Sequence, residues 1–211
     1  MKTLLVIDSS GRRTRSITRH LTSRFAASWQ ARHAEGEILT REVGLTPPPT
    51  VNEAWIAAAF SDPSDHTPAM REALAVSEEL IDEVERADAI VIGTPIYNFG
   101  MPAQLKAYID QIVRIGRTFS MDTEDVESPY RALLTPKPVI IITAAGDGSM
   151  HPGGAMAHLN FLEPHLATVL GFIGLGEPRF IRVGYEEFQD DRLKRSLASA
   201  ESAVDEVAAT V

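Results

Sequence analysis

Four short runs of this chain are apolar almost without interruption: Thr3 to Ile7 (TLLVI), Ala89 to Ile92 (AIVI), Val139 to Thr143 (VIIIT) and, less purely, Phe180 to Val183. Strands buried on both faces read this way, whereas strands with one wet face alternate. A fifth segment, Glu37 to Val43 (EILTREV), does alternate and reads as a strand at a sheet edge. Helical patterns separate these segments. Ile17, Leu21 and Phe25 fall four apart within Thr14 to Ala34, and Leu74, Leu80, Ile81 and Val84 share one side of Met70 to Ala87. Leu105, Tyr108, Ile109 and Ile112 do the same in Pro102 to Ile115; shorter and longer patterns cover Pro164 to Leu170 and Asp190 to Val211. Buried strands alternating with amphipathic helices point to one architecture, a parallel α/β sheet with helices on both faces. The chain has 211 residues, 44% of them hydrophobic, so the expectation is a single domain over residues 1–211 with a sizeable core. Two insertions interrupt the alternation. Thr50 to Pro68 carries a short helical piece between Pro-rich loops, and Phe119 to Pro136 is polar, its acidic part (Asp122, Glu124, Asp125, Glu127) reading as a solvated excursion.

Several classes of function are set aside by composition. A net charge of −9 argues against nucleic acid or an anionic membrane as partner. The chain has no cysteine, which removes disulfides, thiolate nucleophiles and cysteine-held metal. Its six histidines show no ligand spacing with a carboxylate, so no metal site is expected. No serine sits in a G-x-S-x-G elbow. The apolar run near the start is a strand without a cleavage site, and no stretch approaches the roughly 18 apolar residues of a membrane span; the expected location is the cytoplasm.

Open α/β sheets bind ligands beyond the carboxyl ends of their strands, and three loops there carry unusual residues. The loop after the first strand, Ser9 to Thr18 (SSGRRTRSIT), opens a helix and so presents free N–H groups and the positive end of a helix dipole. Ser10, Ser16 and Thr18 add hydroxyls, and Arg12, Arg13 and Arg15 make it cationic: a phosphate site without a Walker lysine or a G-x-G-x-x-G run. Thr14 or Ser16 as a simple helix cap is the plainer reading. The loop after the third strand (Pro95, Ile96, Tyr97, Asn98, Phe99, Gly100, Met101, Pro102) offers rings, an amide and a stiff backbone to a flat, partly polar ligand. Aromatics that merely fill the sheet–helix seam remain an alternative there. The loop after the fourth strand, Thr143 to Gly154, is glycine-rich and contains Asp147 and His151, the latter read as a solvated histidine. One phosphate loop, one ring loop and one glycine loop belong at the switch point of a flavodoxin-like sheet of order 2-1-3-4-5, and the matching ligand is FMN.

These residues also resemble those of a known family, the FMN-dependent NADH-azoreductases of the flavodoxin-like NAD(P)H:quinone reductase superfamily. The similarity is carried by Ser10 with Ser16-Ile17-Thr18, by PIYNF (Pro95 to Phe99) followed by QLKAYID, by GRTF (Gly116 to Phe119) and by LGFIG (Leu170 to Gly174). The resemblance implies FMN phosphate on Ser10, Ser16, Ile17 and Thr18, and the isoalloxazine on Ile96, Tyr97, Asn98 and Phe99 and on Ala144, Ala145, Gly146 and Asp147. Relatives often carry Ser-Arg-Gly-Gly where this chain has Ala144 to Asp147, so ring contacts there are expected from backbone, with an acid near the ring. Met121 stands where an aromatic closes the substrate side in some relatives.

What the resemblance implies is a homodimeric, FMN-dependent oxidoreductase that takes hydride from NADH or NADPH and reduces quinones and azo compounds in ping-pong order. Because the cofactor carries that chemistry, no side chain is named as an essential acid or base. The dimer partner is expected to close the site, with Phe119, Phe161 and Phe172 as candidates for that wall or as ordinary core. A flavodoxin-type electron carrier and a non-enzymatic flavodoxin-like module are the alternatives.

Overall fold

Both faces of the expected strands are covered in the computed structural model, which describes residues 1–211. In chain order its strands are β1 (Thr3–Asp8), β2 (Glu37–Glu42), β3 (Ala89–Pro95), β4 (Phe119–Met121), β5 (Tyr130–Ala132), β6 (Val139–Ala144) and β7 (Arg179–Val183). Its helices are α1 (Ile17–Arg32), α2 (Glu53–Ala59), α3 (Pro68–Arg86), α4 (Ala103–Ile112), α5 (Leu162–Phe172) and α6 (Asp191–Ala208). Five strands form one parallel sheet in the order β2-β1-β3-β6-β7, which is 2-1-3-4-5 when only its own strands are counted. The expected flavodoxin-like order is therefore the observed one, with its switch point between β1 and β3.

The period of two along each strand divides the core into halves. Leu4, Val6, Ile140, Ile142 and Val183 face α1 and α6, where Leu21, Phe25, Trp29, Val204 and Val207 meet them. Leu5, Ile7, Ile90, Ile92 and Ile141 face α3, α4 and α5 through Leu80, Ile81, Leu105, Tyr108 and Leu166. Each such side chain, fully buried, contributes about 1.5–3 kcal/mol relative to exposure. β2 stays half-exposed at one edge of the sheet, and β7 at the other edge alternates between buried and partly exposed positions.

Element ends depart from the sequence pattern where capping or pairing decides. α1 starts at Ile17 rather than Thr14 because Ser16 caps it, its Oγ accepting the Arg19 N–H, and Ser9 to Arg15 are left as loop. β3 and β6 run past their apolar cores, Thr94 pairing with Thr143 and Pro95 with Ala144. Ala144 is thus the last residue of a strand, not the first of a loop. The first insertion holds α2, seated on α3 by Trp55, Ala58 and Leu74. In the second, β4 and β5 pair as a short antiparallel hairpin that leaves Asp122, Glu124 and Glu127 exposed between them.

Candidate functional site

The three expected loops do meet, at the carboxyl edge of β1, β3 and β6. Ser9 fastens the first of them to β3, its N–H and Oγ both donating to the Gly93 carbonyl at 2.9 and 3.0 Å. Gly93 itself must lack a side chain: a Cβ would lie 2.7 Å from Thr22 Cγ2, so glycine lets α1 come down onto the strand. The pocket that results is lined on one side by Ser10, Arg12, Arg15, Ser16, Ile17 and Thr18. Across from them stand Pro95, Ile96 and Tyr97 from the β3 loop, and Ala144 and Gly146 from the β6 loop.

Its first side is built for an anion. Ser10 and Thr18 are buried, and Ser16 Oγ and Thr18 Oγ1 lie 3.2 Å apart. Ile17 and Thr18, the first residues of α1, have N–H groups without an intrahelical acceptor. Arg15 and Arg13 form no ion pair within the chain, while Arg12 is paired with Glu186 across the pocket mouth. Ser16 is a helix cap and a pocket residue at once, so its capping role does not remove it from the pocket.

The ring side departs from expectation in detail. Asn98 and Phe99 have φ of 47° and 70°, and Tyr97 and Gly100 exchange N–H···O=C bonds of 2.9 and 3.0 Å around them. This is a two-residue turn with both central residues left-handed, a conformation that favours Asn and Gly and costs a Phe about 1–2 kcal/mol. The turn carries Phe99 outward, 46% exposed, and fixes its carbonyl by a bond from the Phe161 N–H. Ile96 and Tyr97 line the pocket; Asn98 and Phe99 sit on the turn beside it. In the glycine loop Ala144 and Gly146 reach the pocket, but Ala145 and Asp147 do not. Ala145 is buried and spends its N–H on Val183 and its carbonyl on Glu186. Asp147 caps the turn that follows it, its Oδ1 accepting the Ser149 N–H at 2.9 Å.

Two acids from a fourth loop complete the mouth, and sequence reading missed them. Glu186 and Glu187 follow β7, and their N–H groups donate to Ala145 and Gly146. Glu187 lies so close to Gly146 that a Cβ there would come within 2.5 Å of its carboxyl carbon. Their signal was available in principle, since β7 too ends at the carboxyl edge of the sheet. Arg19 was missed as well: it enters no part of the pocket but bonds the carbonyls of two residues of the first loop. His151 is a correction. It is half-buried against Gly184 rather than solvated, its Nε2 has no partner, and burial pushes its pKa down. The charges facing it are Glu163, Arg182 and Asp147.

Aromatic side chains also cluster at the end of α5 on the β4–β5 hairpin, outside the pocket lining. Phe119, Tyr130 and Phe172 form a triad with ring centroids 5.0 to 6.1 Å apart, and Phe161 is 60% exposed. Met121 is exposed on the hairpin. The arrangement suits a phosphate monoester joined to a flat ring: hydroxyls and free N–H groups at one end, a cleft between Ile96, Tyr97 and the β6 loop backbone at the other. No group of three or more His, Cys, Asp or Glu is placed to hold a metal ion.

Known proteins resemble this chain along nearly its whole length. A family model for a flavodoxin-like fold matches residues 2–207. An FMN-dependent NADH:quinone oxidoreductase of Opitutus terrae is 59% identical over 207 residues, covering 97% of this chain and 96% of that protein. One from Nostoc punctiforme is 46% identical over 209 residues, covering 99% of each. Among solved structures, an azoreductase from Bacillus anthracis str. Sterne superposes with a TM-score of 0.87 at 22% identity, over 100% of both chains. An FMN-dependent NADH-azoreductase from Bacillus anthracis str. Ames Ancestor, in complex with FMN, gives 0.85 at 19% identity, over 100% of this chain and 99% of the other.

Proposed function

The chain belongs to the flavodoxin-like family, and on that footing we propose that it is an FMN-dependent NAD(P)H oxidoreductase reducing quinones and azo compounds. The observation that carries this reading is the pocket at the β1/β3 switch point, where an anion-binding helix start faces a ring-sized slot. Ser10, Ser16 and Thr18 hydroxyls with the Ile17 and Thr18 N–H groups hold the phosphate, and Arg15 supplies a charge that no carboxylate in the chain has taken.

Ile96 and Tyr97 support the ring from one side, with the Asn98–Phe99 turn fixing the backbone beside them. Ala144 to Asp147 act as backbone: the Gly146 and Asp147 N–H groups make no hydrogen bond within the chain. The Asp147 carboxylate is occupied by Ser149, so the acid expected beside the ring is replaced by Glu187 at the mouth. The chemistry a flavin supplies there is two-electron transfer through N5, from a nicotinamide to the acceptor that follows it into the same place, which is ping-pong order. The protein binds, orients and excludes water; no side chain of the pocket is assigned as acid or base.

The exposed Phe161 and Phe172 support a homodimer in which a second copy closes the open side, because surface of this kind seldom stays wet. No helix is long and apolar enough to cross a membrane, and the absence of cysteine fits a cytoplasmic location. Purified protein should show an oxidised-flavin spectrum and, anaerobically, oxidise NADH or NADPH beyond about one equivalent per site only when a quinone or azo dye is present. A flavin-bound protein without such turnover would point to an electron carrier, and one that binds no FMN to a non-enzymatic module.

A further inference from the structure

One arginine serves the phosphate loop without entering the pocket. Arg19, in the first turn of α1, has a side chain only 15% exposed and divides its guanidinium between backbone carbonyls and Glu42. Nη2 donates to the Ser10 carbonyl at 2.7 Å and Nε to the Arg12 carbonyl at 2.9 Å. Glu42, at the end of β2, grips it through Nη1 and through Nη2, the latter at 2.7 Å, and Glu42 is itself steadied by the Leu45 N–H at 3.0 Å. Asp8 Oδ2 stands 3.8 Å from Nη1. With two carboxylates beside it, the charge of Arg19 is matched inside the protein. Its contribution to an anion in the pocket therefore has to come through geometry.

The two carbonyl contacts fix the direction of two N–H groups. A trans peptide is planar, and its C=O and N–H point opposite ways. The Ser10 carbonyl shares its plane with the Gly11 N–H, and the Arg12 carbonyl shares its plane with the Arg13 N–H. Once both carbonyls turn to Arg19, both N–H groups turn away from it. Neither has an acceptor in the chain, whereas the Arg12 N–H between them is satisfied by Ser10 Oγ at 3.2 Å. Ser10 and Arg12 line the phosphate end, and Gly11 faces the ring loop, where a Cβ would lie 3.9 Å from Tyr97 Oη. On the other side Gly44 leaves the slot for the Ser10 carbonyl, since a Cβ there would collide with it.

We propose that Arg19 is the positioning residue of the phosphate site: it pins the Ser10–Gly11 and Arg12–Arg13 peptides so that the Gly11 and Arg13 N–H groups point at a bound phosphate monoester. Glu42 holds Arg19 in that register. The proposal rests on the FMN reading and adds two backbone donors to it. N–H groups that converge in this way form an anion-binding concavity, and donors set before the ligand arrives lose little in ordering.

Riboflavin and FMN separate this role from others, because they differ only by the phosphate. Binding of each to apoprotein is followed by quenching of flavin fluorescence. Arg19→Gln should weaken FMN by about tenfold or more, the scale of one misdirected hydrogen bond to a charged group, and leave riboflavin within about twofold. Arg19→Lys keeps the charge but cannot reach both carbonyls and Glu42 together, so it should lose nearly as much. Glu42→Gln should fall in between. If Arg19→Gln does not fold, the other two variants carry the comparison. Wild-type FMN affinity in Arg19→Lys would overturn the proposal, because charge alone would then suffice. Equal losses for FMN and riboflavin would also overturn it, by showing a general structural role. Wild-type protein that binds neither flavin would instead refute the FMN reading itself.

Discussion

The Asn98–Phe99 turn offers a perturbation in which backbone and side-chain explanations give opposite results. Both residues are left-handed, with φ of 47° and 70°, and the turn is closed by the paired bonds between Tyr97 and Gly100. Asn tolerates this region better than Ala, and Gly adopts it freely. Asn98 is exposed and donates no hydrogen bond from its amide within the chain, so truncation removes little burial. Asn98→Ala should therefore cost about 1 kcal/mol, chiefly as strain, and lower Tm by about 2–4 °C for a chain of this size. Asn98→Gly loses the same amide but removes the strain, offset by the greater freedom of glycine in the unfolded chain; its net change should stay within about 0.5 kcal/mol. The same order should hold for the cofactor, FMN affinity falling about fivefold in Asn98→Ala and staying within about twofold in Asn98→Gly. Thermal unfolding of the apoprotein and FMN titration measure the two effects separately. Equal loss of FMN affinity in the Ala and Gly variants would refute the reasoning and restore a direct amide–ring contact as the role of Asn98.

Two further predictions concern the phosphate end. Ser16→Ala with Thr18→Ala should weaken FMN by about 1.5–3 kcal/mol for each charged hydrogen bond lost, read by titration, and also cost about 1 kcal/mol of stability because Ser16 caps α1; wild-type affinity would place the phosphate elsewhere. Asp8 has its carboxyl pushed up by burial, with Glu42 adding to the rise and the Thr22 hydrogen bond and Arg19 opposing it. The native state thus holds the Asp8 proton more tightly than the unfolded chain, so wild-type stability drops as pH rises from about 3.9 through the raised native value. Asp8→Asn should be the more stable protein at neutral pH by denaturant melts, with the advantage vanishing in acid, and a variant less stable at neutral pH would reverse the sign.

How far the chain was legible depended on the range of the interaction that decides each feature. β1, β3 and β6 were readable because both their faces are apolar, and the strand order was inferred from the three ligand-type loops that belong together at a flavodoxin-like switch point. The three-residue strands β4 and β5 left no pattern, since a hairpin that short is set by pairing and by the packing of Phe119 and Tyr130 on Phe172. Ser10, Ser16, Thr18 and Tyr97 stood out by local residue type, Ile17 and Ile96 by the family resemblance, and all six line the pocket. Arg19 was illegible: its partners are two backbone carbonyls and a glutamate 23 residues away. Asn98 looked like a ligand for its amide, while its backbone angle, invisible in the sequence, gives it a second reason to be there. His151 sits in a glycine-rich loop that reads as wet, yet Gly184, just past the end of β7, makes the space that half-buries it.

The central claim is that one pocket passes electrons from a nicotinamide to a quinone in two separate halves. Anaerobic titration of the purified, FMN-loaded protein tests it directly, with the visible absorbance band of the oxidised flavin as the readout. NADH or NADPH alone should bleach that band completely at about one equivalent per site, and a quinone added afterwards should restore it to the same extent. A band that NADH and NADPH leave untouched until the quinone is also present would contradict the account.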